Sequence, residues 1–170
     1  ITAEKNNKFE INYKGYFAPK NNKFDNCIVS RFFSHFRINK PNYKFTIKKN
    51  IPIQSGLGSA SSNLAAVIRI LQKLGYTNLK KDYSFIGADV PFFMSNSDSL
   101  VRGIGNIIIN KSFPKYYFLL VKPIVNCSTK NMFDLINIEN LKNSSELDVN
   151  DITEHDYGND FESILRDKFT

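Results

Sequence analysis

Two glycines and four serines crowd into residues 52–63, Pro-Ile-Gln-Ser-Gly-Leu-Gly-Ser-Ala-Ser-Ser-Asn, and what flanks them decides what they can build. Before them, Tyr43, Phe45 and Ile47 alternate with polar residues, the period-2 signature of a half-buried strand over 43–51 that Pro52 ends. After them, Leu64, Val67, Ile68, Leu71 and Leu74 share one helical face, with Arg69, Gln72 and Lys73 opposite and Gly75 as a stop. A strand, a Gly/Ser turn and an amphipathic helix therefore follow one another directly. Gly56 and Gly58 can adopt positive φ and expose backbone N–H groups with no Cβ in the way, while Ser61, Ser62 and the helix start face the same space. Such a turn can cradle an anion, held by backbone donors and by roughly half a positive charge at the helix N-terminus. The competing reading is an ordinary glycine turn with a serine N-cap. A Walker A loop is disfavoured because no Lys follows the glycines, and a dinucleotide fingerprint because Ser61 holds its third glycine position.

The remaining pattern is mixed. Phe9, Ile11 and Tyr13 predict a strand over 9–17; Ile28, Val29, Phe32, Phe33 and Phe36 predict a helix over 27–36 that Asp25 and Asn26 can cap and Pro41 follows. Residues 92–94, 99–101, 107–109 and 116–121 read as strands, 132–136 and 161–169 as helices, and the polar, acidic stretch 143–160 as a long loop. His35, beside the aromatic stripe, reads as structural. At 170 residues, 42% hydrophobic and 14% aromatic, the chain can bury a core and is not disordered. Its longest apolar run, 116–121, is too short to span a bilayer and no signal peptide is evident, so a cytoplasmic location without membrane contact is expected. Cys27 and Cys127 lack metal or redox spacing. Residues 1–81 carry 15 basic against 3 acidic side chains, which favours an anionic partner in that half.

A second segment, residues 85–93, reads Phe-Ile-Gly-Ala-Asp-Val-Pro-Phe-Phe. Its single carboxylate, Asp89, sits between a flexible Gly-Ala step and a Pro-stiffened apolar run. Those neighbours predict partial desolvation, which suits a base that takes a proton from an alcohol beside a bound nucleotide. A capping role is the alternative.

Together, I-P-I-Q-S-G-L-G-S-A-S-S-N at 51–63 and G-A-D-V-P-F-F at 87–93 resemble the GHMP small-molecule kinases. Weaker matches follow in order: Asp25-Asn26-Cys27-Ile28-Val29 is similar to a D-N-L-I-V helix start, Gly103-Ile104-Gly105 to a G-x-G turn, Ser128 to Phe133 to S-T-x-x-x-F, and Asn159-Asp160-Phe161-Glu162 to N-D-L-E. The resemblance implies an α+β, two-lobed fold whose N-terminal lobe is ribosomal protein S5 domain 2-like, here truncated. Residues 1–112 would form most of the ATP-binding lobe without its first strands, and 113–170 the start of an incomplete C-terminal lobe. It further implies ATP as phosphoryl donor, Mg²⁺, and as substrate a small molecule with a cytidine diphosphate group, phosphorylated on the 2-hydroxyl of its methylerythritol in non-mevalonate isoprenoid synthesis. On that pattern Pro52, Ile53, Gln54, Ser55, Gly56, Leu57, Gly58, Ser59, Ala60, Ser61 and Ser62 would wrap the ATP phosphates, Asp89 would be the general base, and Thr129 and Phe133 would meet the cytidine. No protein ligand to a metal and no nucleic-acid partner is implied.

The pattern is incomplete. The family's P-A-K-x-N-L strand, D-G-Y-H turn and T-G-S-G loop do not occur, Gln54 and Asn106 depart from it, and the stretch between Asn63 and Asp89 is shorter than usual. The expectation is a fragment or degenerate copy with little activity alone. Two alternatives stand beside it: a GHMP kinase for another small alcohol, and a basic RNA-binding module in which Lys14-Gly15-Tyr16-Phe17 resembles an RNP1 strand.

Overall fold

The computed structural model describes residues 1–22, 27–77, 79, 82–122, 129–136 and 159–169. The chain divides into two compact units, Ile1–Pro114 and Lys115–Thr170.

In the first unit, strands β1 (Thr2–Lys5), β2 (Glu10–Lys14) and β3 (Tyr43–Lys48) form a sheet with β3 in the middle. β1 pairs antiparallel to β3, with Ala3 opposite Phe45, and β2 pairs parallel to it, with Ile11 opposite Phe45 and Tyr13 opposite Ile47. The parallel pair needs a crossover, and helix α1 (Ile28–His35) supplies it. Helix α2 (Ser59–Lys73) follows β3 through the Gly/Ser turn. Phe45 and Ile47 point into the space beneath the two helices, where Val29, Phe32 and Phe33 of α1 meet Leu64, Val67, Ile68 and Leu71 of α2. These side chains are buried almost completely, and burying each relative to water stabilises by about 1.5–3 kcal/mol. Leu74 caps α2 and Gly75 follows at φ +87°, its N–H on the Gln72 carbonyl and that of Tyr76 on Leu71, a left-handed C-terminal stop.

Two further elements complete this unit: helix α3 (Val90–Met94) and a hairpin of β4 (Ser99–Arg102) with β5 (Ile107–Asn110). The second unit contains helices α4 (Thr129–Leu135) and α5 (Phe161–Phe169); the Asn159 side chain accepts the Phe161 N–H at 3.0 Å and so caps α5. Among the described residues, no helix is long and apolar enough to cross a membrane.

Several expectations need correction. No strand is predicted over residues 2–5, which carry no alternation; β1 pairs there with the edge of β3. The 9–17 strand stops at Lys14, since Gly15 turns the chain at φ +103°. Residues 92–94 are helical: Pro91 begins the turn with φ preset for a helix, and the Phe93 N–H reaches the Asp89 carbonyl at 3.1 Å. The 116–121 segment has no ladder and is exposed, with Tyr117 at 97%; its apolar run alone supplies no partner for its backbone. The capping pair Asp25 and Asn26, Cys127, Ser128 and most of the acidic loop lie outside the described residues. His35 is exposed on α1, edge-on to Phe36.

Candidate functional site

The turn between β3 and α2 holds three left-handed residues: Gln54 at φ 55°, Gly56 at φ 71° and Gly58 at φ 61°. Ser55 Oγ donates to the Pro52 carbonyl at 3.0 Å, closing the start of the turn. Gly58 is the N-cap of α2 and no side chain caps it. The Ser62 N–H reaches the Gly58 carbonyl at 2.9 Å, so by helix geometry the N–H groups of Ser59, Ala60 and Ser61 have no acceptor within the helix. Ser62 Oγ bends back to the Ser59 carbonyl at 3.1 Å and Ser61 is buried. Pro52, Ser55, Gly58 and Ser59 are half-buried, whereas Ile53, Gln54, Gly56, Leu57 and Ala60 face solvent. The exposed donors of this turn are mainly backbone.

Lys49 extends beneath it. Its Nζ donates to Ser59 Oγ at 3.0 Å, and the residue is only 5% exposed. Burial lowers its pKa from the ordinary lysine value, partly offset by the charge of Cys27 nearby. Across from it, the Tyr13 hydroxyl and Cys27 Sγ are 2.7 Å apart. Burial, reinforced by the hydrogen bond and charge of Cys27, pushes the Tyr13 phenol well above its usual range. Tyr13, Cys27, Arg31, Lys49, Gln54 and Ser59 line a cavity of about 290 Å³ beside the first turn of α2. Lys49, one residue past β3, continues the inward phase of Phe45 and Ile47, so its place in the sequence signals a buried cation.

The Gly87–Asp89 segment closes on the same helix start. A Cβ on Gly87 would come within 3.2 Å of Ser61 Oγ, and one on Gly58 within 2.5 Å of the Phe93 ring and 3.8 Å of Asp89 Oδ2. At Gly58 the positive φ and the 2.5 Å approach both require glycine, while at Gly87 a side chain would have to push its neighbours back by a few tenths of an ångström. Gly105, in the turn between β4 and β5, backs the loop from its other side: its own Cβ would collide with the Ala88 carbonyl. Asp89 is the N-cap residue of α3 but makes no side-chain capping bond. It is exposed, which corrects the expectation of a desolvated carboxylate. The fully buried Val90 takes the inward position at the start of α3 and leaves the preceding side chain facing out. Arg69, assigned from sequence to the solvated face of α2, instead donates through Nη2 to the Phe93 carbonyl at 2.6 Å, to Asn96 Oδ1 at 2.9 Å and to the Ser95 carbonyl at 3.3 Å.

Thr129 begins α4, in the second unit. Phe133, on the same helix, is 63% exposed and meets Phe161 edge to face at 5.1 Å. Of Lys14-Gly15-Tyr16-Phe17 only Lys14 belongs to a strand; Gly15 turns the chain, so Tyr16 and Phe17 do not share a sheet face for stacking bases.

Residues 25–96, which include the β3–α2 turn and Asp89, match the GHMP kinases N terminal domain. The chain carries a GHMP kinase N-terminal domain. Relatives extend the match beyond that domain. A protein of Francisella philomiragia is 32% identical over 168 residues, 96% of this chain and 61% of its own length. One from Francisella tularensis subsp. novicida is 33% identical over 174 residues, covering 96% and 62%, and one from Buchnera aphidicola is 34% identical over 131 residues, covering 74% and 44%. Each is named 4-diphosphocytidyl-2-C-methyl-D-erythritol kinase. The chain spans about three fifths of the length of the Francisella proteins. In this GHMP kinase domain the glycine turn and the Gly87–Asp89 segment thus fall inside the matched region, and Arg69 lies between them in sequence.

Proposed function

We propose that the chain binds ATP at the β3–α2 turn and transfers its γ-phosphoryl group to an alcohol, namely the 2-hydroxyl of 4-diphosphocytidyl-2-C-methyl-D-erythritol. The observation that carries this reading is the approach of Asp89 Oδ2 to Gly58, which sets a carboxylate beside backbone donors suited to phosphate. Residues 52–62 would surround the phosphates, with the Ser59, Ala60 and Ser61 N–H groups and the α2 dipole facing their charge. The neighbouring cavity, with the Lys49 cation in its wall, has room for part of the nucleoside. The names of the relatives favour the cytidine-bearing substrate over another small alcohol.

In the transfer, the substrate hydroxyl oxygen forms a bond to the γ-phosphorus while the bond to the bridging oxygen of ADP breaks, and Asp89 accepts the hydroxyl proton. Exposure of Asp89 suits this role, since the alcohol must reach it from solvent. Such transfers depend on positioning and charge stabilisation. Among the described residues no group of three or more His, Cys, Asp or Glu could hold a metal, whereas Ser59, Ser61 and Asp89 are hard oxygen donors. That set fits a Mg²⁺ held chiefly by the phosphates, where it would neutralise charge on the transferred group. Thr129 and Phe133 remain our candidates for the cytidine end, in a C-terminal lobe over 113–170, with 1–112 as the ATP-binding lobe. Titration of the chain with MgATP tests the cradle: micromolar to millimolar binding that Gly58→Ala abolishes is expected, and binding indifferent to Gly58→Ala contradicts it.

A further inference from the structure

Helix α3 is five residues long, too short to hold its place by its own hydrogen bonds. What fixes it lies on α2. At one end the Phe93 ring covers Gly58, and the buried Val90 anchors the first turn. At the other, a single guanidinium nitrogen of Arg69 takes up the Phe93 and Ser95 carbonyls and Asn96 Oδ1. Those carbonyls are the unsatisfied acceptors at the C-terminal end of α3, where a cation also meets the negative end of the helix dipole. Arg69 lies eleven residues beyond Gly58, about 16 Å along α2 at 1.5 Å per residue. Its backbone is therefore remote from the phosphate turn, yet its guanidinium holds the helix whose N-cap residue is Asp89.

We infer that Arg69 is a positioning residue that sets Asp89 for proton transfer, by clamping the C-terminal end of α3 to the helix whose N-terminus forms the phosphate cradle. This rests on the proposed function. One rigid helix, α2, then sets the distance between the phosphates and the base: its N-terminus faces the former and its third turn holds the latter in place. A shift of 1 Å in Asp89 can cost about a hundredfold in transfer, whereas Arg69 directs its hydrogen bonds to residues 93–96 and none of them to Ser59–Ser61. A lysine ammonium carries three donors on one nitrogen, but without a planar group to fix their directions, so it replaces the contact only in part.

The test uses the full chain, with γ-labelled ATP and 4-diphosphocytidyl-methylerythritol, at a temperature where every variant is folded. Arg69→Ala is expected to lower the single-turnover transfer rate at least tenfold while changing the MgATP dissociation constant less than twofold. Millimolar guanidinium is expected to restore part of the rate, and Arg69→Lys to fall between. Amide exchange at residues 93 and 95 is expected to rise at least tenfold in Arg69→Ala, with residues 64–71 unaffected. A transfer rate equal to wild type, or rate and nucleotide affinity falling together without guanidinium rescue, overturns the positioning role. Wild-type chain that binds MgATP but transfers nothing overturns the functional reading itself. Faster exchange at residues 93 and 95 in Arg69→Ala would then still show that Arg69 holds α3, and unchanged exchange would overturn the clamp as well.

Discussion

Asp89 Oδ2 lies 3.8 Å from the point where a Cβ on Gly58 would stand. Two motifs about thirty residues apart in sequence therefore share one surface at the start of α2. The Phe93 ring is closer still, at 2.5 Å, so that surface is built for a residue without a side chain.

Gly58→Ala should therefore act twice. Its φ of 61° costs an alanine about 1–2 kcal/mol, and Phe93 must move as well. Urea unfolding should show a loss above 2 kcal/mol together with lost MgATP binding. Gly56→Ala, at φ 71° with nothing within 4 Å of its Cβ, should cost only the conformational part, about 1 kcal/mol.

Gln54 occupies a left-handed position with a long side chain. Gln54→Gly should raise stability by up to about 1 kcal/mol, the relief of strain less the extra unfolded-state entropy of glycine. Chemical denaturation of the two chains checks it; a loss of stability would show that the Gln54 side chain makes a contact worth more than the strain.

Much of this was open to reading from the residues. The strand, glycine turn and helix over 43–74 follow from a period of two giving way to a period near 3.6, and the structure has them in that order. Lys49 is readable from its phase, two residues beyond Ile47. Residues 92–94 read as a strand from sequence because Phe92, Phe93 and Met94 fit either element, and only Pro91 and the bonds to the Asp89 and Pro91 carbonyls decide for a helix. The exposure of Asp89 depends on which way Val90 turns, and the Arg69 clamp on contacts 24 to 27 residues distant. No local pattern carries either.

Tyr13 gives a pH dependence whose sign can be worked out. Its folded-state pKa is raised above the unfolded value of about 10, so the protonated phenol's contribution is complete below pH 10 and is lost as the pH rises beyond it. Stability of the wild-type chain should fall, relative to Tyr13→Phe, by up to about 1.4 kcal/mol per pH unit above pH 10. Parallel urea titrations of the two chains at pH 8, 10 and 11 check the slope; matching slopes would show that the phenol is not held protonated.

A Cβ on Gly105 would collide with the Ala88 carbonyl, next to Asp89 in the chain. Gly105→Ala should lower phosphoryl transfer at least tenfold by displacing that loop, while MgATP affinity stays within twofold. Transfer kinetics beside a nucleotide titration separate the two effects.

The central claim is that Asp89 takes the hydroxyl proton beside phosphates held by the turn over 52–62. Single-turnover transfer from γ-labelled ATP to 4-diphosphocytidyl-methylerythritol, compared between wild type and Asp89→Asn, tests it most directly. The account predicts slow transfer in the wild-type chain, at least a hundredfold less in Asp89→Asn, and the same MgATP affinity in both. Equal transfer rates in the two chains would contradict it.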